Sequence, residues 1–312
     1  MNYRETIGEA WHFTQENKKL IVWYAFIPSL LGTLVGVGYL VYQFYAFKSS
    51  ALFDNWNESF TVVALKAIFD ALKANTESIV PLTIVGVILA LMYFFLPPLT
   101  DGAMIQLIAR KKGGQDVRIL DGMKFGLNYF LPLFSYSLVN RTFNIVSLFW
   151  EAGFVLRNLG PDVFLTLSPV LIPLGIVSLL FMFMFAFTEY YMVIDDTHMA
   201  QSMAKSSVLV FKHWGKTVRI SMLMFLIGIR ILVQIVFVLL VPLIVLVGIF
   251  YFAESTLPDV GLWIGGGLGM LALLFASYLG AIVHVFTTTV WVFAFLDLST
   301  TPEINARGES VG

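Results

Sequence analysis

The chain has 312 residues, of which 58% are hydrophobic and 12% charged, and its net charge is −1. A soluble domain carries about 25% charged residues. This chain therefore lacks the polar surface that water would demand, and lipid is its expected solvent; the near-zero charge gives no reason to expect a nucleic-acid partner. With no cysteine, disulfides, thiol catalysis, thiolate metal sites and iron–sulfur clusters are excluded.

The amino-terminal twenty residues contain Glu5, Glu9, Glu16, Lys18 and Lys19, which does not fit a cleavable signal peptide. The apolar run that follows, Leu20–Phe47, is too long for a signal-peptide core and reads as an uncleaved anchor. About 20 apolar residues cross the hydrocarbon core as a helix. Six runs qualify: Leu20–Phe47, Ile79–Ala109, Tyr129–Leu156, Val163–Ile194, Val218–Phe252 and Leu262–Leu298. The expected fold is all-α, a six-span membrane bundle forming one domain over residues 1–312. The fifth run, at about 1.5 Å per residue, would reach roughly 50 Å, so some helices must tilt or kink. Pro97-Pro98, Pro169, Pro173 and Pro242 are the candidate kink points.

Lys and Arg collect on the cytoplasmic side of a membrane protein. Arg4, Lys18, Lys19, Arg110, Lys111, Lys112, Arg118, Lys124, Lys205, Lys212, Lys216, Arg219 and Arg307 fall on one side of the six-span topology. Only Lys48, Lys66, Lys73 and Arg157 fall on the other. Both termini are expected in the cytoplasm.

Three cytoplasmic stretches, about 3–18, 118–128 and 197–214, run into the odd-numbered spans with an apolar stripe. Tyr3, Ile7, Ala10, Trp11 and Thr14 form the first stripe, Ile119, Met123, Leu127 and Phe130 the second, and Met199, Met203, Ser206, Val210 and Trp214 the third. They read as in-plane interfacial helices. The even spans end alike, with Thr100-Asp101, with Thr188-Glu189 and with Asp297. The pattern suggests three copies of interfacial helix, span, span. Between spans one and two, Phe60, Val63, Ala64, Ala67, Ile68, Ala71 and Leu72 form another stripe, expected to rest on the outer leaflet.

Glu9-Ala10 with Asn17-Lys18-Lys19, then Glu189, then Ala204, Ser207, Phe211 and Trp214-Gly215-Lys216 give the chain a layout that resembles bacterial six-span inner-membrane proteins. These are the YciC-type proteins and the membrane domain fused to some glycerophosphodiester phosphodiesterases. The likeness spans most of the chain as an architecture. It implies a module of a bacterial inner membrane, sometimes attached to lipid-headgroup chemistry, and carries over no catalytic residue; no phosphodiesterase domain is expected within residues 1–312.

Motifs for chemistry fail on spacing. Gly215-Lys216-Thr217 ends like a phosphate-binding loop, but the glycine such a loop needs upstream is Val210. Asp101-Gly102 with Ala109-Arg110, Gly114, Asp116 and Asp121 resembles the CDP-alcohol phosphotransferase signature with the wrong intervals. None of His12, His198, His213 and His284 falls in a metal-binding pattern. His12, His198 and His213 suit the headgroup level, and His284, inside span six, suits a hydrogen bond to a neighbouring helix. No catalytic residue, metal site or cofactor is expected.

Buried polar residues carry the remaining signal. Asn140, Arg141 and Asn144 lie in span three, and Arg230 and Gln234, four apart, in span five. An arginine at mid-bilayer costs at least ~2.5 kcal/mol on insertion scales. Two of them without acids at matching depth suggest a polar groove that holds an anionic lipid headgroup; snorkelling, or bonds to helix carbonyls and amides, is the plainer account. Gly261, Gly265 and Gly269 in span six allow close helix packing, within the monomer or across a homodimer. The leading functional expectation is a non-enzymatic membrane module that engages membrane lipid. A small transporter or flippase-like carrier is the alternative, and a lipid-modifying enzyme ranks third.

Overall fold

A computed structural model describes residues 3–48, 66, 69–70, 76–229, 231, 233, 236 and 258–308. Within them the chain is all-helical. The helices are α1 (Tyr3–Glu16), α2 (Phe26–Lys48), α3 (Thr76–Lys112), α4 (Asp121–Thr142), α5 (Ile145–Asn158), α6 (Pro161–Met184), α7 (Thr188–Ile194), α8 (Met199–Lys212) and α9 (Pro258–Gly308). Residues 214–229 are also helical.

Four helical stretches are long and apolar enough to cross a membrane: Lys18–Tyr39, Thr83–Lys112, Pro161–Ile194 and Gly266–Ser299. They fall on the expected first, second, fourth and sixth spans. The expected third span is not one helix: α4 stops at Thr142, and α5 starts afresh at Ile145. The backbone carbonyl of Asn144 accepts the Leu148 N–H at 3.1 Å, the position of a helix N-cap, which asparagine favours. The polar residue that looked like part of a ligand site thus stands where a helix begins. Most of the expected fifth span lies outside the described residues, as does the external stripe Phe60–Leu72 apart from Lys66, Phe69 and Asp70.

Entry into α2 is shaped by proline. Pro28 can neither donate to the Tyr24 carbonyl nor avoid crowding it. The chain answers with a π segment at Ile21–Ala25, in which the Phe26 N–H reaches the Ile21 carbonyl. Helices α3 and α4 pack side by side at glycine. A Cβ on Gly122 would fall 2.6 Å from the Tyr24 hydroxyl, and one on Gly126 would run into the Leu99 carbonyl. Gly160, at φ 91°, makes the tight turn between α5 and α6, which opens on Pro161.

Burial is concentrated where the spans carry their basic residues. Ala103–Ile108 of α3, Tyr190–Val193 of α7 and Val290–Leu298 of α9 supply most of this core. The opposite half of α3 presents Val80, Ile84, Val87 and Leu91 outward, as lipid-facing shafts do. Ring contacts tie the core together: Trp11 meets Phe286 at 5.6 Å, Phe187 meets Trp291 at 5.5 Å, and Tyr191 meets Phe295 at 4.8 Å.

The amphipathic stripes divide into two kinds. Ala10 and Thr14 of α1, and Ser206 and Val210 of α8, are buried against the protein. These parts of the stripes cover the core, while Trp11 and Trp214 of the same stripes stand exposed. The second stretch is no separate helix. From Asp121 onward it is the opening of α4, where Met123 and Leu127 stand exposed while Gly122 and Gly126 face α3.

Candidate functional site

His284 of α9 and Asp101 of α3 form the centre of the site, with Nε2 2.8 Å from Oδ1. Asp101 precedes Arg110 by nine residues on one helix, a depth of roughly 14 Å at about 1.5 Å per residue. The side chains remain partly open, at 41% for His284 and 29% for Asp101. Glu189, at the start of α7, is half-buried and near enough to feel the charges of both. Three of the four candidate membrane stretches each contribute one ionisable side chain. Ionisable groups inside a membrane segment are rare and tend to mark ion or proton routes.

Each acid follows a local irregularity in its helix. In α3, Pro97 and Pro98 remove two backbone donors just before Asp101, and Thr100 Oγ1 bonds the carbonyls of Leu96 and Pro97, both at 3.0 Å. In the fourth span the helix opens between Met184 and Thr188. No proline or glycine lies in Phe185-Ala186-Phe187. The opening is held by side chains from elsewhere. Ser206 of α8 donates to the Met184 carbonyl at 2.8 Å and accepts the Phe187 N–H at 3.1 Å. Tyr136 of α4 donates to the Phe185 carbonyl at 3.1 Å. Backbone groups freed from a helix at membrane depth need such partners, and Ser206 is completely buried. The amphipathic helix α8 is thereby bonded to the backbone next to Glu189.

Around this centre the core is fixed by polar contacts at the helix ends. The Gln106 side-chain amide donates to the Val193 carbonyl, and Arg110 Nε donates to Gln106 Oε1 at 2.9 Å. The Arg110 guanidinium also lies 4.3 Å over the Phe125 ring. Lys112 Nζ pairs with Glu9 at 2.7 Å, tying α1 to the end of α3.

Of the residues expected to line an anion groove, Arg141, Asn140 and Asn144 are described. Arg141 ends α4 with its guanidinium over the rings of Phe94 at 5.0 Å and Tyr93 at 5.6 Å. It therefore has π partners on α3 and sits where a cation suits the helix dipole. Asn140 is exposed, and Asn144 takes up the cap position described above. Arg230 and Gln234 lie outside the described residues. His284 makes the bond to a neighbouring helix that its position suggested. Gly261, Gly265 and Gly269 all fall in α9. Ser206 and Tyr136 carried no functional signal in the sequence; a serine within an apolar stripe was the only hint.

Among the described residues no three His, Asp or Glu side chains come together as a metal site would require. No hydroxyl among them hydrogen-bonds the His284 ring. No family model, curated protein or solved structure matches the chain. The likeness to YciC-type proteins rests on the residues quoted for it alone.

Proposed function

We propose that this is a non-enzymatic, multi-span membrane protein that works as a small proton-coupled carrier, with Asp101, His284 and Glu189 as its proton-binding centre. The observation that carries this reading is the place of each acid just after a disturbed stretch of helix: Asp101 after Pro97-Pro98, which remove two backbone donors within continuous α3, and Glu189 after the opening at Phe185–Phe187. Carriers place their coupling sites at discontinuous helices near the middle of the membrane. Prolines alone do not mark such breaks in both halves of the sequence, which ranked a lipid-engaging module above a carrier. The opening at Phe185–Phe187 is a break that no proline marks, and it favours the carrier.

The chemistry follows from charge. Two carboxylates out of bulk water repel, and a proton on the nearby imidazole offsets the repulsion. A proton held there can pass along the hydrogen bond to Asp101 or be released when the helices separate. An acid–histidine pair also serves enzymes, but those pairs act on a nucleophile bonded to the imidazole. Topology belongs to the same proposal. The excess of Lys and Arg on one side supports cytoplasmic termini in a bacterial inner membrane. The α4–α5 segment and the helix beginning at residue 214 would complete six crossings, and the recurrent Thr-acid turn would mark the repeat.

The reading requires water at the cluster. The chain has no cysteine, so Glu189→Cys and His284→Cys each create a single thiol. Small charged thiosulfonates added to right-side-out and inverted vesicles should modify both. Thiols inert from either side would refute a carrier.

A further inference from the structure

A second site lies at the basic end of the first two membrane stretches, away from the acid–histidine cluster. There, a cavity of about 750 Å³ opens between the start of the Lys18–Tyr39 span and the end of the Thr83–Lys112 span. Lys18, Lys19, Lys111 and Arg118 line it, and Glu16 is the one acid among its lining residues. Glu16 is engaged with His12 at 3.1 Å. Lys111 donates to the Asn17 side chain at 2.5 Å. Lys18, Lys19 and Arg118 have no acidic partner among the described residues.

Four cations around one hollow repel one another unless an anion stands between them. Their placement is specific, because Lys18 opens one candidate span and Lys111 nearly closes the next. That is the level of lipid headgroups. The flank of the cavity is apolar: Trp23 is 62% exposed and Leu120 is 70% exposed. Tryptophan at this depth favours the boundary between headgroup and acyl chain. Basic pockets at helix ends suit phosphate-bearing headgroups, with arginine able to hold two oxygens at once.

We infer that this cavity binds the headgroup of an anionic membrane phospholipid, its phosphate among Lys18, Lys19, Lys111 and Arg118 and its acyl chains along Trp23 and Leu120. The site differs from the groove expected at Arg141 and Arg230 and does not depend on the carrier reading. A free phosphate ion offers the same oxygens but has no use for the apolar flank, so lipid is the favoured source.

The test uses full-length protein in nanodiscs of mixed phosphatidylglycerol and phosphatidylcholine, with retained lipid read by native mass spectrometry. Wild type should retain phosphatidylglycerol preferentially, and millimolar inorganic phosphate should not displace it. The preference should weaken as salt is raised. Lys18→Gln/Lys19→Gln/Arg118→Gln should lower the preference roughly a hundredfold. Lys18→Arg/Lys19→Arg should keep it, and so should Lys124→Gln/Lys212→Gln, whose lysines lie outside the cavity. Equal retention of both lipids by wild type, or a triple variant that retains phosphatidylglycerol as wild type does, overturns the proposal. Displacement by inorganic phosphate overturns the lipid assignment. Should the triple variant not fold, the wild-type measurements decide: a preference insensitive to salt rejects the site.

Discussion

His284 Nε2 stands 2.8 Å from Asp101 Oδ1 and so joins residues 183 positions apart in the chain, on the last helix and on α3. Glu189 approaches the same pair from a third helix, directly after an opening in its own backbone.

Gly126 lets α4 lie against the backbone of α3. A Cβ there would strike the Leu99 carbonyl, which is backbone and cannot rotate away. Gly126→Ala should destabilise the protein by about 1–3 kcal/mol, the usual cost of overpacking, read as a lowered unfolding temperature in detergent. Gly86→Ala, with nothing within 4 Å of its added Cβ, should leave that temperature unchanged or raised.

Ser206 serves the Met184 carbonyl and the Phe187 N–H together. Ser206→Ala strands both in a buried setting and should cost about 1–3 kcal/mol. Ser207→Ala removes only a bond to the Met203 carbonyl within the same helix and should be close to neutral. A double-mutant cycle with Tyr136→Phe should show coupling, since both residues hold the opening between Met184 and Thr188. Strict additivity would mean that they do not act on one element.

Asp195 follows the last residue of the fourth span. Partial burial pushes its carboxyl above the ordinary aspartate range, and Lys205, 4.0 Å away, offsets this only in part. A raised folded-state value means that the folded protein binds the proton more readily than the unfolded chain. The resulting stabilisation is present at low pH and is lost as pH climbs from the ordinary aspartate range through the raised value. Asp195→Asn should therefore flatten the pH dependence of unfolding in that window and be no less stable than wild type at neutral pH. A variant that loses stability only at neutral pH would contradict the sign.

Asp196 adopts φ 52° just beyond α7, a left-handed conformation that costs an L residue roughly 1–2 kcal/mol. Asp196→Gly removes that strain and should raise the unfolding temperature slightly. Asp196→Val should lower it, because a β-branched side chain tolerates this region worst.

Long apolar helices were legible in the sequence because length and hydropathy alone define them, and four such stretches stand in the structure. His284 announced its interhelical bond by being polar inside an apolar run. Its partner was hidden, since spacing along a chain says nothing of which helix lies opposite. The opening at Phe185–Phe187 had no proline or glycine to announce it; Ser206 and Tyr136 sustain it from distant helices. Periodicity located the stripes of α1 and α8 but not what covers them, because an apolar face suits a protein core as well as lipid. Arg141 looked isolated among apolar residues, yet the rings of Tyr93 and Phe94 receive it. Aromatic side chains count as apolar in any hydropathy reading, so this partner was invisible there.

The most direct test of the central claim is proton movement through purified protein. In liposomes carrying a pH-sensitive dye and an imposed potassium diffusion potential, wild type should carry protons faster than protein-free vesicles. His284→Ala and Asp101→Asn should each reduce the rate to the protein-free level, and Glu189→Gln should lower it, while Ser207→Ala should not. Wild-type vesicles no faster than empty ones, or His284→Ala vesicles as fast as wild type, would contradict the proposed carrier.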